Sequence, residues 1–181
     1  MDSLSALLDN YRFLARYNCW FNERLFDACA ALTDAQRKAD RGAFFGSIHG
    51  TLNHLLWADR AWLRRFAHQG VNFPALDGDL LDLPVGADTV HATVLYDDWE
   101  RLRQARRRLD VAVEQWTADM PADFPQRVIR YRNTKGVARE HTAWQALTHF
   151  FNHQTHHRGQ VTTLLSQAGI DAGITDMIAL V

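Results

Sequence analysis

Three histidines lie within five positions of the segment HFFNHQTHHRGQ (residues 149–160). On an α-helix, which turns by about 100° per residue, His153 and His157 are one turn apart and point in similar directions. His149 and His156 point further towards the polar side. Two imidazoles spaced in this way can bind one metal ion, as in other helical H-x-x-x-H sites. The spacing therefore makes His153 and His157 a candidate metal-binding pair.

The apolar residues around this pair predict a helix with one buried side. They form a stripe consisting of Ala143, Leu147, Phe150, Val161, Leu164, Leu165 and Ala168. His157 falls within the stripe and His153 at its edge, so both are expected to face the protein interior. The alternative is a pair of hydrogen-bonded core histidines, but two buried neutral imidazoles would each need a polar partner. That cost favours a metal ion.

The residue after the first histidine of the pair distinguishes this pattern from the helical zinc motif of metalloproteases. That motif has Glu at this position as its general base, whereas residue 154 here is Gln. We therefore do not expect a protease of that class. Gln160 is a candidate to hydrogen-bond a ligating imidazole or a water at the metal.

A third ligand must come from another segment, and residues 47–66 (SIHGTLNHLLWADRAWLRRF) offer two histidines. His49 and His54 are five positions apart, so on a helix they point about 140° away from each other. Only one of them can face the pair. The directions of the neighbouring leucines slightly favour His49, but this margin depends on where the helix starts, and the residues themselves leave both candidates open.

Four segments have the three- and four-residue apolar spacing of amphipathic helices. They cover residues 4–32, 47–68, 89–118 and 141–168. Ser47 is the expected N-cap of the second helix, and Gly169 the expected end of the fourth. Residues 70–88, rich in Gly, Pro and Asp, predict a long surface loop. Alternating apolar and polar residues on both sides of residues 133–136 (NTKG) predict a short hairpin.

These elements predict one domain over residues 1–181, an all-α four-helix bundle with a small hairpin insert before the last helix. The 181 residues are 47% hydrophobic and 23% charged, which is ordinary for a soluble globular protein. The net charge of −1 gives no reason to expect a nucleic-acid partner. No segment has the roughly 18 consecutive apolar residues of a membrane span, and the start lacks an export signal, so we expect a cytoplasmic protein.

Two further features have ordinary structural interpretations. Cys19 and Cys29 are about 15 Å apart on the first predicted helix, too far for a disulfide, and are expected to be buried free thiols. The arginine-rich residues 101–110 (RLRQARRRLD) are expected to form a solvated helix face rather than an anion-binding or partner-binding patch.

Three segments together resemble the DinB family of damage-inducible proteins, the DinB/YfiT-like metalloenzymes. They are YNCWFNERL (17–25), LNHLLWADRAWL (52–63) and HFFNHQTHHRGQ (149–160). The resemblance extends over essentially the whole chain, and its last segment is the most specific. It implies a four-helix bundle, often a homodimer, with a divalent metal ion bound by three histidines. Carried over to this sequence, the ligands are His54, His153 and His157.

Three neutral nitrogen ligands leave a coordination position open, as in catalytic zinc sites. Such a metal, expected here to be zinc or nickel, activates a water for hydrolysis or deprotonates a small thiol. Because relatives of this family include thiol-dependent transferases, the resemblance implies a transferase that uses bacillithiol, mycothiol or glutathione at least as well as a hydrolase. The alternative is a non-catalytic metal-binding or stress-response protein.

The other histidines are expected to lie outside the metal site. His149 and His156 are assigned to structural roles or to contacts with the ligands. His68, His91 and His141 fall near predicted helix ends and are expected at the surface.

Several other residues of these segments are expected to pack or pair between helices. Asn18 and Asn22 match the first segment of the family and are expected to satisfy polar groups between helices. Gly159, inside a helix, is expected to allow close approach of another helix. Trp20 and Phe21 are expected to be exposed and to supply a dimer face.

Overall fold

The computed structural model describes residues 3–84 and 94–181. The helices of these two stretches, apart from short 3-10 turns, are α1 (Ser3–Ala30), α2 (Asp34–Lys38), α3 (Ile48–Ala67), α4 (Trp99–Ala118) and α5 (Ala143–Gln167). An antiparallel hairpin, β1 (Val128–Arg132) and β2 (Ala138–Thr142), precedes α5. The predicted all-α bundle with a hairpin insert is therefore confirmed.

The four long helices pack around one apolar core. Helix α1 contacts α4 and α5, and α3 contacts the same two helices from the other side. At the centre, the rings of Phe66, Trp116 and Phe150 from three different helices lie 5.1–6.2 Å apart between centroids. In the described part of the chain, no helix combines the length and the apolar character that crossing a membrane requires.

The predicted ends of the second and fourth helices are confirmed at two capping residues. The Ser47 side chain accepts a hydrogen bond from the Gly50 N–H and begins α3. Gly169 has φ +76° and follows the last turn of α5, where Ile170 N–H donates to the Leu165 carbonyl. This is the geometry of a glycine-terminated helix.

Two predicted helix starts are wrong. Helix α4 begins at Trp99, because the Asp98 side chain caps it by accepting from the Arg101 N–H, so residues 94–98 are not helical. Residues 89–93 of that prediction lie outside the described residues. Helix α5 begins two residues later than predicted, because His141 and Thr142 belong to β2.

The predicted surface loop over residues 70–88 is confirmed only in part for the residues that the structure describes, because most of residues 70–84 are exposed or partly exposed but four of them are buried. Residues 70–84 contain two short 3-10 helices, Pro74–Leu76 and Gly78–Leu81. Their leucine side chains Leu76, Leu80 and Leu81 are buried against the core, as is Phe73 directly before the first 3-10 helix. The Gly, Pro and Asp content of this segment correctly predicted turns, but it did not predict the apolar contacts that hold these turns against the core. Residues 85–88 lie outside the described residues.

Two expectations about packing on α1 and α5 are also wrong. Phe21 is buried with 4% of its surface exposed, so it cannot form part of an exposed dimer face, and Trp20 is only partly exposed. The homodimer stays a prediction. Gly159 is exposed, and a Cβ built on it would meet nothing within 4 Å, so no neighbouring helix explains the glycine.

The two cysteines are free, as expected. Cys29 is buried, whereas Cys19 is only partly buried. Burial raises the pKa of both thiols to about 12, so neither is a reactive nucleophile at neutral pH.

A network of buried charges joins the long helices. Asp59 of α3 lies 2.5 Å from the Arg106 guanidinium of α4, and Arg106 also donates two hydrogen bonds to Asp110. The Asn22 amide of α1 donates to Asp110, and Gln154 of α5 donates to Asp59. All five side chains are buried, so each charge or amide depends on the others for its polar partner.

A second buried contact links α1 and α5. The Arg158 guanidinium donates to the Asn18 side-chain oxygen and lies over the Tyr17 and Phe21 rings. The expectation that Asn18 and Asn22 satisfy polar groups between helices is confirmed. The expectation that residues 101–110 form a solvated face is wrong at Arg106, which is 3% exposed.

Removing the central cation of the network should destabilise the fold. We expect Arg106→Met to lower the free energy of unfolding by about 3–5 kcal/mol, because two buried carboxylates lose their partner. The matched control is Arg107→Met on the same helix, whose ion pair with Glu23 is exposed and 3.5 Å long. That change should cost at most about 1 kcal/mol. Urea unfolding followed by circular dichroism measures both values, and equal losses would contradict the assigned role of Arg106.

Candidate metal centre

The structure brings together His54 of α3 with His153 and His157 of α5. The Nε2 atom of His153 lies 3.4 Å from Nε2 of His54 and 3.1 Å from Nε2 of His157. One nitrogen atom from each of the three imidazoles lies within 4.8 Å of the others. His54 and His157 are buried, and His153 is partly exposed.

These separations fit a single divalent ion. Tetrahedral coordination with metal–nitrogen bonds of about 2.0–2.1 Å places two ligand nitrogens about 3.3 Å apart. Hydrogen bonding alone accounts poorly for the same arrangement. A neutral imidazole carries one proton, so the three nitrogens cannot donate to each other at every contact. The donor set therefore fits a metal ion better than it fits a network of core histidines.

Gln160 fixes the orientation and tautomer of His157. Its side-chain oxygen lies 2.7 Å from Nδ1 of His157, and its amide nitrogen lies 3.2 Å from Nε2 of His156. Because the carbonyl oxygen can only accept, Nδ1 of His157 carries the proton and Nε2 keeps its lone pair towards the other two histidines. The predicted hydrogen bond between Gln160 and an imidazole of the pair is therefore present.

An aromatic residue that the sequence analysis missed covers His54. Phe45 stacks on the His54 ring with a centroid separation of 3.8 Å and lies 5.5 Å from the His157 ring. It sits in a tight turn in front of α3, where Gly46 has φ +73°. A Cβ on Gly50 would lie 2.2 Å from the Phe45 carbonyl oxygen, so Gly50 allows the turn to approach the helix. Phe45 lies outside the predicted helices, so no helical periodicity in the sequence could have predicted its contact with His54.

His49, the other open candidate of the sequence analysis, is buried elsewhere. Its Nε2 lies 2.9 Å from the Tyr96 carbonyl oxygen. The Asn53 side chain bonds the same residue twice, because its amide nitrogen donates to the Tyr96 carbonyl and its oxygen accepts from the Tyr96 N–H. His49 therefore helps to hold the segment before α4 against α3. The structure places it outside the cluster, because it points to the opposite side of the first turns of α3 from His54.

The remaining described histidines are exposed. His156 contacts Gln160, while His149 lies 5.9 Å from the His153 ring and 5.0 Å from the Trp62 ring between centroids. His68 and His141 lie at the surface, as expected, and His91 lies outside the described residues.

A cavity of about 260 Å³ opens beside the cluster. Its lining residues are His54, Trp57, Ala58, Ala61, Trp62, Arg65, Tyr131, Asn133, Thr134, His149 and His153. In the described part of the chain, no carboxylate lines this cavity, so an ion at the three histidines would have neutral ligands and an uncharged or cationic surrounding.

Burial keeps the imidazoles of His153 and His157 neutral. It lowers the pKa of His153 to about 3, and the neighbouring His157 and His54 add to this effect by charge repulsion. Burial also lowers the pKa of His157, although its hydrogen bond with Gln160 opposes the change. Since a metal ion binds the unprotonated nitrogen, these low pKa values leave the lone pairs available at neutral and mildly acidic pH.

The low pKa of His153 should make the metal-free protein sensitive to acid. Below the ordinary histidine pKa near 6.5 the unfolded chain binds a proton at residue 153 that the folded chain does not, so stability falls as pH decreases from about 7 towards 4. His153→Gln removes this group. We therefore expect urea unfolding with a chelator to show wild type losing stability relative to His153→Gln over that pH range. The comparison cancels the titrating groups that do not interact with residue 153, and parallel stability curves would contradict the prediction.

Comparison with known proteins agrees with this fold and cluster. The sequence model of the DinB family matches residues 7–180. Protein DinB of Bacillus subtilis (strain 168) is 24% identical over 164 residues, which cover 90% of this chain and 88% of that protein. No solved structure matches the chain at a significant level. Because the family match extends over nearly the full length, this chain belongs to the DinB family.

Proposed function

We propose that this protein is a metal-dependent enzyme whose His54, His153 and His157 bind a divalent ion that activates a small substrate. The observation that supports this most directly is the convergence of three imidazole nitrogens, with separations of 3.1 and 3.4 Å, at the wall of a cavity. Structural metal sites are closed by four protein ligands, whereas three ligands beside a cavity are typical of catalytic sites.

The donor set supports zinc or nickel, because imidazole is a good ligand for both. A divalent ion with three neutral ligands keeps its full charge and lowers the pKa of a water or thiol that binds to it. The protein residues supply the remaining functions. Gln160 holds the His157 lone pair towards the ion, and Phe45 covers His54 and limits access of water from that side.

The lining of the cavity favours a small thiol over a water as the activated group. In zinc hydrolases with a helical histidine pair, a glutamate beside the metal is the general base that activates the bound water. Among the described lining residues there is no carboxylate, and the aromatic rings of Trp57, Trp62 and Tyr131 form much of the wall. We therefore propose a transferase that uses a low-molecular-weight thiol, with a hydrolase as the second enzymatic candidate.

Metal binding should depend on the three clustered histidines. We expect untagged protein incubated with zinc or nickel to retain about one ion per chain. His54→Ala, His153→Ala and His157→Ala should each weaken affinity by more than the roughly 10–100-fold that loss of an indirect partner costs. Elemental analysis after dialysis gives the metal content, and competition with a chromophoric chelator gives the affinity.

The matched control for these variants is His156→Ala, which removes an exposed imidazole next to His157. It should keep about one ion per chain. His49→Gln should also retain the metal if its circular dichroism spectrum is unchanged. A wild-type protein that retains no ion after loading would refute the proposal, as would variants of the cluster that bind metal as tightly as wild type.

Thiol binding separates an enzyme from a protein that only stores or senses metal. In cobalt-substituted protein, we expect small thiols to produce a thiolate-to-cobalt charge-transfer band and to compete with one another for it. A non-catalytic metal-binding protein with a closed coordination sphere would show no change in its spectrum. Release of nitrophenol from nitrophenyl esters, without a spectral response to thiols, would instead support the hydrolase.

A further inference from the structure

Arg65 lies where the cavity beside the histidines meets a second cleft. It lines the 260 Å³ cavity together with His54 and His153, and it also lines an adjoining cleft of about 440 Å³. The cleft runs between α3 and the β1–β2 hairpin, and it shares Tyr131 with the cavity. A ligand that extends from the histidines along α3 would therefore pass the Arg65 guanidinium.

Two aromatic rings contact the Arg65 guanidinium. Its central carbon lies 4.5 Å from the centroid of Trp62 and 4.8 Å from that of Tyr131. Cation–π contacts of this kind bond none of the N–H groups at the edge of the guanidinium to an acceptor oxygen, so these donors stay available. Those edge donors match the two oxygens of a carboxylate in a bidentate pair.

Arg65 has no counter-ion among the described residues. Its guanidinium takes part in none of the ion pairs or side-chain hydrogen bonds of this part of the chain, whereas Arg130 across the cleft pairs with Glu140 at 2.7 Å. No carboxylate of the described chain lines either cavity or cleft. Burial lowers the pKa of Arg65, as expected for a cation that loses water without gaining an anion.

The position of Arg65 on α3 sets the length of the ligand. Arg65 follows His54 by eleven residues, which is about three turns, so both side chains lie on the same face of the helix. The rise over that interval is roughly 16 Å, and the arginine side chain leans back towards the start of the helix by several ångströms. The guanidinium is therefore roughly 10 Å from the level of the histidine cluster.

We propose that Arg65 binds a carboxylate of an elongated thiol substrate whose sulfur lies at the histidine cluster, an inference that rests on the proposed function. The Arg65 guanidinium complements one negative charge. The substrate class is then an acidic thiol whose carboxylate lies several ångströms, and up to about 10 Å, from its sulfur, and not a neutral thiol. Arg65 acts in specificity and takes no part in the chemical step.

Matched thiols test this assignment in cobalt-substituted protein. We expect 8-mercaptooctanoate, which spans the distance, to bind at least about tenfold more tightly than 8-mercaptooctanol, as one charge-assisted hydrogen-bonded pair allows. Arg65→Gln should remove that preference, and Arg107→Gln, a change at an exposed arginine of α4 that lines neither the cavity nor the cleft, should retain it. The charge-transfer band of the bound thiolate reports the dissociation constants.

A short acidic thiol distinguishes a specific contact with Arg65 from a general attraction of negative charge to the cavity. Mercaptoacetate has the same charge, but only one carbon separates its carboxylate from its sulfur and it cannot reach Arg65 from the cluster, so Arg65→Gln should leave its affinity unchanged. Equal weakening of the short and the long acid would overturn the proposal. So would a wild-type protein that binds 8-mercaptooctanoate no more tightly than the alcohol.

A measurement without metal distinguishes failure of this inference from failure of the proposed function. In metal-free, ¹⁵N-labelled protein, octanoate should shift the Nε–H resonance of Arg65, which Arg65→Gln identifies by its loss, and octanol should not. A shift with octanoate alone supports the anion site even if no thiol binds at the metal. Absence of a shift at saturating octanoate overturns it, even if the thiol band is observed.

Discussion

The buried pair between Asp59 and Arg106 is the interaction on which the geometry of the rest depends. Asp59 also accepts a hydrogen bond from Gln154, which directly follows His153 on α5. Arg106 in turn donates to Asp110, which also accepts from Asn22 of α1. A charge buried to this extent is stable only if its partners are in place, so alternative alignments of the long helices leave carboxylates unpaired. The network therefore sets how α3 sits against α5, and that alignment decides whether His54 reaches the pair on α5.

Much of the site could be predicted from sequence because its signals are local. Two histidines one turn apart beside an apolar stripe identify one face of one helix, and Ser47 and Gly169 mark helix ends through contacts within a few residues. The hairpin around residues 133–136 is local in the same sense. The position of Gln160, one turn from His156, likewise follows from helix geometry alone.

What could not be predicted depends on contacts between distant segments. Whether His49 or His54 faces α5 depends on the rotation of α3, which the backbone around Tyr96 helps to fix by bonding His49 and Asn53. Arg106 looked like its exposed neighbours because its partner Asp59 lies 47 positions earlier. Arg65 gave no signal of its own, since Trp62 is on the same helix but Tyr131 is on the hairpin. Helical periodicity predicts which way each side chain points on its own helix, but it does not predict which residue of another segment that side chain will contact.

The spacing of charged and ligating residues on α3 explains why the cavity is electropositive in a chain with a net charge of −1. Asp59 is five residues after His54 and points about 140° away from it, into the bundle, where Arg106 neutralises it. Arg65 is eleven residues after His54 and returns to the cavity face without a carboxylate partner among the described residues. The carboxylate of Asp59 thus holds the helices together, while the guanidinium of Arg65 lines the cavity without a carboxylate partner among the described residues. A divalent ion with three neutral ligands would add further positive charge at the same cavity. Negative charge on a ligand is therefore favoured at two places in the cavity. A thiolate is favoured at the histidines, and a carboxylate is favoured at Arg65.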